Sequence, residues 1–583
     1  MRSSLPAVPR SDSAGAAGTS AGCETSAGSG EPAGAGQAAG SAWPAQLRVA
    51  LEGLEYTQPG LKALWGPDVD QALSTNDAAP ALWFARTSSA SLAVVARLFL
   101  LADAVPTASA EDALGAELVS ALQAAGLLVP ADAGEPRSGD PSPGEYSEES
   151  ERRLVSSVSI APYSLPVGVP RLAGRRKPDT LYLASDFGTL TRPEVLDGDF
   201  VLGLGGAGRT LIEITPREAV TTAADIGTGC GIQALALALH ADTVIATDIS
   251  ERALEFTRLN AKINEIGNIE TRQGSLLEPL HGQTVDLLVT NPPFVITPQA
   301  ARGQFEYRDG GMPGDQLMRS LVRDIPHHLS DGGQAAMLGN WEVGQPDAEA
   351  GPSAWHKAAQ DEAASADEAA VGTAAVGQTS LMVIEREQLS PTAYAHTWIR
   401  DGGVVRASDK WNADTAAWLD DFASRGVEQI SFGWVRFKRG ARGVPVVAAH
   451  RVSGPLGANS AGVAAFLDTR MAMLEWLAGA EDSEIADTAF VRGSDIVEHR
   501  HHTPGTENPS VIEMAQGTGF GQTLTVDTAL AAFIGVADGT MTLRTVAGAL
   551  AALLEVDSDK LCQQLVEQVR DILPLGFVYP VLE

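Results

Sequence analysis

Three glycines at alternate positions, Gly227, Gly229 and Gly231, interrupt the run Ala224-Asp225-Ile226-Gly227-Thr228-Gly229-Cys230-Gly231-Ile232, between an apolar strand and the helical stretch QALALALH. A strand that turns this sharply into a helix uses backbone conformations that a Cβ disfavours, and it lets a ligand approach the main chain closely. The spacing is G-x-G-x-G. A dinucleotide-binding turn would place its third glycine at position 232, where Ile232 stands. From about Leu211 to Phe437 strand-like runs (TVIATDI, VDLLVTN, QAAMLGN, SLMVIERE, QISFGWVRF) alternate with helical patterns. That alternation predicts an α/β fold with a doubly wound, mainly parallel sheet.

The second strand ends at Asp248, 23 residues after Asp225, where a carboxylate can accept both hydroxyls of a ribose. An ordinary tight turn beside a solvated Asp is the bland alternative. A later strand, VDLLVT, runs into Asn291-Pro292-Pro293-Phe294, 60 residues past Gly231. Two prolines fix φ and remove two N–H donors, so the Asn291 amide oxygen and the Pro292 carbonyl can face outward as two acceptors of fixed separation. An NH2 group between them gives up both hydrogens, loses conjugation and turns its lone pair toward an electrophile. Phe294 supplies a flat face for a planar group. This is catalysis by positioning and electrostatics. A lone NPPF is a common turn; its place after the glycine turn in one sheet makes it specific.

DIGTGCG, TDIS and NPPF together resemble the class I S-adenosylmethionine-dependent methyltransferases, in the small-domain group with NPP-aromatic motifs. This group includes release-factor glutamine methyltransferases of HemK type, ribosomal-RNA guanine methyltransferases and N6-adenine methyltransferases. The resemblance covers Leu211 to Trp341 well and the strands to Phe437 weakly. It implies a seven-stranded sheet and S-adenosyl-L-methionine as cofactor. Carried over by position, Asp225, Gly227, Thr228, Gly229 and Gly231 would line the methionine and ribose part, Asp248 would hold the ribose hydroxyls, and Ile249 would lie beside the adenine. Asn291 would border the cofactor and, with Pro292, Pro293 and Phe294, bind the target nitrogen. Many relatives carry an Asp where Ser275 stands here, so this chain offers the adenine amino group a weaker acceptor.

The flanks read differently. Residues 1–43 are a disordered tail by composition, with 24 of the 32 residues from Ser11 to Ala42 being Ala, Gly or Ser. Residues 44–132 read as a helical or winged-helix-like domain, and 133–151 as an acidic Pro/Gly-rich linker. The methyltransferase domain spans 152–445, with a β-rich approach and a disordered insertion at 345–378, where 12 Ala and 6 Asp/Glu fall in 34 residues. Residues 446–583 form an α+β module, again winged-helix-like. Gly203 to Gly208 lacks the Lys-Ser/Thr of a phosphate cradle and reads as a turn. His499, His501 and His502 precede Pro504-Gly505 and read as loop. No metal is expected: Cys23, Cys230 and Cys562 lie far apart, which also rules out a disulfide framework.

The formal charge of −32 opposes a general nucleic-acid coat or a polybasic membrane binder. Glu151 to Asn340 holds 17 Lys+Arg against 22 Asp+Glu, so this region is far less acidic than the rest. It can carry a basic lip at Arg171, Arg175, Arg176 and Lys177. The N-terminus lacks a signal-type apolar core and no run approaches 18 apolar residues, so a cytoplasmic protein without membrane contact is expected. The expected activity is N-methylation of a planar nitrogen, leaning to an exocyclic amine of a nucleobase in RNA or DNA. Protein glutamine, in a partner such as a translation factor, is the alternative. A non-catalytic cofactor- or RNA-binding protein comes third, because an idle site needs no aimed acceptors.

Overall fold

The computed structural model describes residues 42–131, 152–165, 179–188, 190–191, 199–298, 308–344, 351–365, 373–440, 444–459 and 462–581. All but the last two residues of the expected tail, the linker at 133–151 and the basic residues from Arg171 to Lys177 lie outside the described residues.

The central sheet has eight strands: β1 (Val220–Ile226), β2 (Ala241–Asp248), β3 (Ile269–Gln273), β4 (Val285–Thr290), β5 (Leu329–Gly344), β6 (Thr379–Leu389), β7 (Val427–Arg439) and β8 (Val447–Arg451). Their order is β8-β6-β7-β5-β4-β1-β2-β3. Strands β5, β4, β1, β2 and β3 pair in parallel, and β7 runs antiparallel between β5 and β6. This is the doubly wound, mainly parallel sheet expected, with one strand more than seven. The extra strand, β8, pairs in parallel with β6. Its sequence lies past 445 and reads as the start of the next module. In the fold it covers the row of N–H and C=O groups that β6 would otherwise leave as an open edge.

Helices cover both faces. They are α1 (Gly206–Ile214), α2 (Ile232–Leu237), α3 (Glu251–Ile263), α4 (Gln316–Asp324), α5 (Pro352–Ser365), α6 (Thr373–Gly377), α7 (Pro391–Asp401), α8 (Asp409–Ser424) and α9 (Val463–Gly479). Two of them correct the sequence reading: α5 and α6 occupy the stretch expected to be disordered. His356 on α5 is fully buried, its ring nitrogen 2.9 Å from Thr379 O, and Arg319 lies over the Trp355 ring. An Ala-rich segment suits a helix as well as a linker, and these two anchors decide between them.

The N-terminal unit places strand 153–156 between strands 105–106 and 128–130, with helices Thr107–Leu114 and Ala116–Ala124 before the last two. This is a winged-helix connectivity. It takes in strand 153–156, which the sequence reading placed in the next domain. The hairpin of strands 159–164 and 180–185 sits against α3. In the C-terminal unit strand 489–492 lies between strands 538–542 and 578–580, with helices Leu543–Leu554 and Ser558–Ile572 connecting the outer pair. The central strand here precedes the helices, a permuted order of the same layers. His499 and His501 lie on an exposed strand, 496–501, paired with 511–516 rather than in a loop. His501 Nε2 is 2.9 Å from Glu513 Oε2.

Candidate active site

In register, Ile226 of β1 faces Thr247 on one side and Thr290 on the other. The glycine turn, Asp248 and Asn291 therefore leave three neighbouring strands, about 4.8 Å apart, at one edge of the sheet. Thr290 Oγ1 donates to Ile226 O at 2.9 Å, tying the two strand ends together.

All three glycines of the turn have positive φ: +71° at Gly227, +56° at Gly229 and +87° at Gly231. At Gly231 a Cβ would also meet Thr257, 2.8 Å from its Oγ1 and 3.0 Å from its Cα, so conformation and space both exclude a side chain. Beneath the turn Asp225 is buried, and its Oδ2 accepts from Thr228 Oγ1 at 2.7 Å and Ala234 N at 3.0 Å. Burial pushes its carboxyl up to about 7, against the pull of those two donors. Asp248 accepts from Gly229 N at 2.9 Å through Oδ2 and from Ser250 N at 3.0 Å through Oδ1, and burial raises its pKa as well. Each oxygen keeps lone-pair capacity for a further donor such as a hydroxyl. Ile249 beside it is 62% exposed, an uncovered apolar face. Gln273 Nε2 donates to Ile249 O, and Ser275 is exposed on the same rim.

At the corner after β4, Asn291 Oδ1 is buried without a partner, an arrangement native proteins rarely leave unused. Pro292 O accepts from Phe294 N at 2.7 Å, so one of its two lone pairs is engaged. The segment beyond is pinned by Val295 N donating to Arg308 O and by a bridge between Phe294 and Asp309. Arg308 Nη1 donates to Trp398 O at 3.0 Å and to Asp401 at 2.6 Å, which commits it to α7 rather than to closing over a substrate. The orphaned Asn291 oxygen, the glycine cradle and Asp248 fit the donors and cations of S-adenosylmethionine and of an amine beside it.

Residues 203–349 match the family model described as methyltransferase small domain. This part of the chain resembles a methyltransferase small domain. Residues 53–138 match a domain of unknown function, DUF7059. A release factor glutamine methyltransferase of Xylella fastidiosa is 33% identical over 130 residues, covering 21% of this chain and 47% of that protein. A ribosomal protein uL3 glutamine methyltransferase of Bradyrhizobium diazoefficiens is 36% identical over 159 residues, covering 25% and 48%. The chain thus spans about half the length of the curated relatives it matches. Among solved structures, a ribosomal protein L11 methylase from Lactobacillus delbrueckii subsp. bulgaricus is 30% identical, covers 21% of this chain and 52% of that one, and has a TM-score of 0.16.

The matched region rests on residues the sequence reading passed over. Asn260 on α3 and Asn264 at its C-terminal cap, four residues apart, are both buried. Asn260 joins the main chain of Ala184 to Cys230 O in the glycine turn, and Asn264 joins Tyr182 to Arg48 of the N-terminal unit. Asn260 inside the helix, where the residue is a poor former, was the available signal. The hairpin α7–α8 between β6 and β7 was also missed. It packs Tyr394, Ile399, Trp411, Trp418 and Phe422 on Val295 and Ile296. Among the described residues no group of three or more His, Cys, Asp or Glu is placed to hold a metal, and no helix is long and apolar enough to cross a membrane.

Proposed function

We propose that this protein methylates the side-chain amide of a glutamine in a protein partner, with S-adenosylmethionine as methyl donor. The observation that carries the reading is the unpartnered Asn291 oxygen at a proline-stiffened corner, adjacent in register to the glycine turn. Bound S-adenosylmethionine supplies an electrophilic methyl group. Asn291 Oδ1 accepts one amide hydrogen and the remaining lone pair of Pro292 O accepts the other, which holds the nitrogen lone pair toward that methyl. Phe294 flanks the amide plane. Asp225, Gly227, Thr228, Gly229, Gly231, Asp248, Ile249 and Ser275 form the cofactor side. The methylated nitrogen then releases one proton to solvent.

Sequence alone leans toward a nucleobase, and two observations favour glutamine instead. The relatives that this chain matches over part of their length are named for glutamine methylation. In addition, neither winged-helix-like unit presents a basic helix. The helix that enters the major groove in DNA-reading modules corresponds to Ser558–Ile572, whose exposed face carries Asp559, Lys560, Gln563, Gln564, Glu567 and Asp571, and to Ala116–Ala124, whose exposed face carries Glu117, Ser120 and Gln123. Such faces repel phosphate.

Radiolabelled cofactor offered to purified release factors, ribosomal proteins, ribosomal RNA and tRNA tests the reading. Label is expected in a protein, released as methylamine on acid hydrolysis, and reduced about a hundredfold or more by Asn291→Ala. Label in RNA alone would overturn it.

A further inference from the structure

Tyr394, on α7, is fully buried against Trp398, Trp418, Phe422 and Phe432. Its hydroxyl oxygen accepts from Ile296 N at 2.9 Å and from Asn340 Nδ2 at 2.5 Å. Asn340 lies three residues beyond Met337, which faces Thr290 in register, so β5 carries it alongside the corner that begins at Asn291. It too is fully buried, and the other end of its amide has no partner. Turning the amide over would exchange the atom that meets Tyr394 and still leave one end unpaired.

The chain leaving the Pro-Pro corner has little slack. Phe294 is bridged to Asp309, Val295 N donates to Arg308 O, and Ile296 N donates to Tyr394. The first two holds come from the neighbouring segment, which is itself anchored on α7 through Arg308. The third comes from α7 directly. Two rigid proline rings transmit any shift at Ile296 back toward Asn291.

We propose that Tyr394 is a positioning residue for the substrate corner. Its hydroxyl, steadied by Asn340, fixes Ile296 and thereby the aim of Asn291 and Phe294, so the α7–α8 hairpin governs methyl transfer without contacting the cofactor. The proposal rests on reading Asn291–Phe294 as the substrate corner. Tyr394→Phe removes one oxygen and keeps the ring packing. It leaves Ile296 N and the Asn340 amide buried without a partner, and the corner relaxes to relieve them.

Three readouts on the full chain test this. Affinity for S-adenosylhomocysteine by calorimetry is expected to stay within about twofold of wild type, while kcat on the fraction wild type labels falls about ten- to a hundredfold with a smaller change in KM. Hydrogen exchange at Ile296 is expected to quicken about tenfold with β1 amides unchanged. Adding Asn340→Ala to Tyr394→Phe is expected to lower kcat little further, since the two act as one unit. Unchanged kcat, unchanged exchange at Ile296, or a parallel loss of cofactor affinity each overturns the proposal. Should wild type label no fraction, the methyltransferase reading fails on that ground, and the exchange measurement alone still decides the role of Tyr394.

Discussion

Asp225 shows how one side chain can serve a turn and burden the fold at once. Its carboxyl braces the glycine turn through Thr228 and Ala234, yet burial lifts its pKa from 3.8 to about 7, with a further push from Asp248. In the unfolded chain the same group ionises near its ordinary value. Between about pH 4 and 7 the native state therefore holds the extra proton, and stability falls as pH rises through that window. Asp225→Asn retains an acceptor oxygen for both donors and removes the titration. Urea unfolding is expected to show the variant gaining about 1–3 kcal/mol on wild type between pH 4.5 and pH 8. A difference independent of pH would refute the account. Asp225 itself was legible from its place before the glycines. Its charge state was not, because burial is a property of the assembled sheet.

At the level of elements, α3 and the Asn264 cap that ends it do more than cover a sheet face. Asn264 donates to Tyr182 O and accepts from Tyr182 N, while also taking Arg48. Asn264→Ala would leave a buried main-chain donor and acceptor and a buried guanidinium short of partners, an expected loss of about 2–4 kcal/mol, read as a lower thermal midpoint. A loss below about 0.5 kcal/mol would show that the hairpin 159–185 does not depend on this clamp. The strands TVIATDI, VDLLVTN, QAAMLGN, SLMVIERE and QISFGWVRF and the turns after them were readable because strands buried between two layers of helices carry apolar runs and glycine and proline punctuate them. The α7–α8 hairpin was not. Its core contacts, Tyr394 and Trp418 against Ile296 and Ile430, join residues up to 122 positions apart, and no local pattern announces which partner an aromatic helix will meet. The same holds for β8, whose five residues look alike whether they end one domain or begin another.

Over the whole molecule, charge and architecture point the same way. Residues 446–583 hold 7 Lys+Arg against 18 Asp+Glu, and residues 42–131 hold 4 against 9, so both flanking units repel polyanions. A fluorescent RNA duplex at about 100 mM salt is expected to show no binding at about 10 µM protein. Micromolar binding that weakens steeply with salt would reopen the nucleic-acid reading. The join between the units carries a further consequence. Helix α9 lays Leu467 and Met471 on the sheet in the same core as Ala336, Ile384 and Trp434, and its Asp468 and Glu475 meet Arg436 and Lys438 of β7. From its other side Arg470 reaches Pro574 in the last helical turn before the final strand. The central sheet thus borrows part of its own roof from sequence far downstream, and a ribosome must add α9 before the sheet that carries the glycine turn and the Asn291 corner is fully covered.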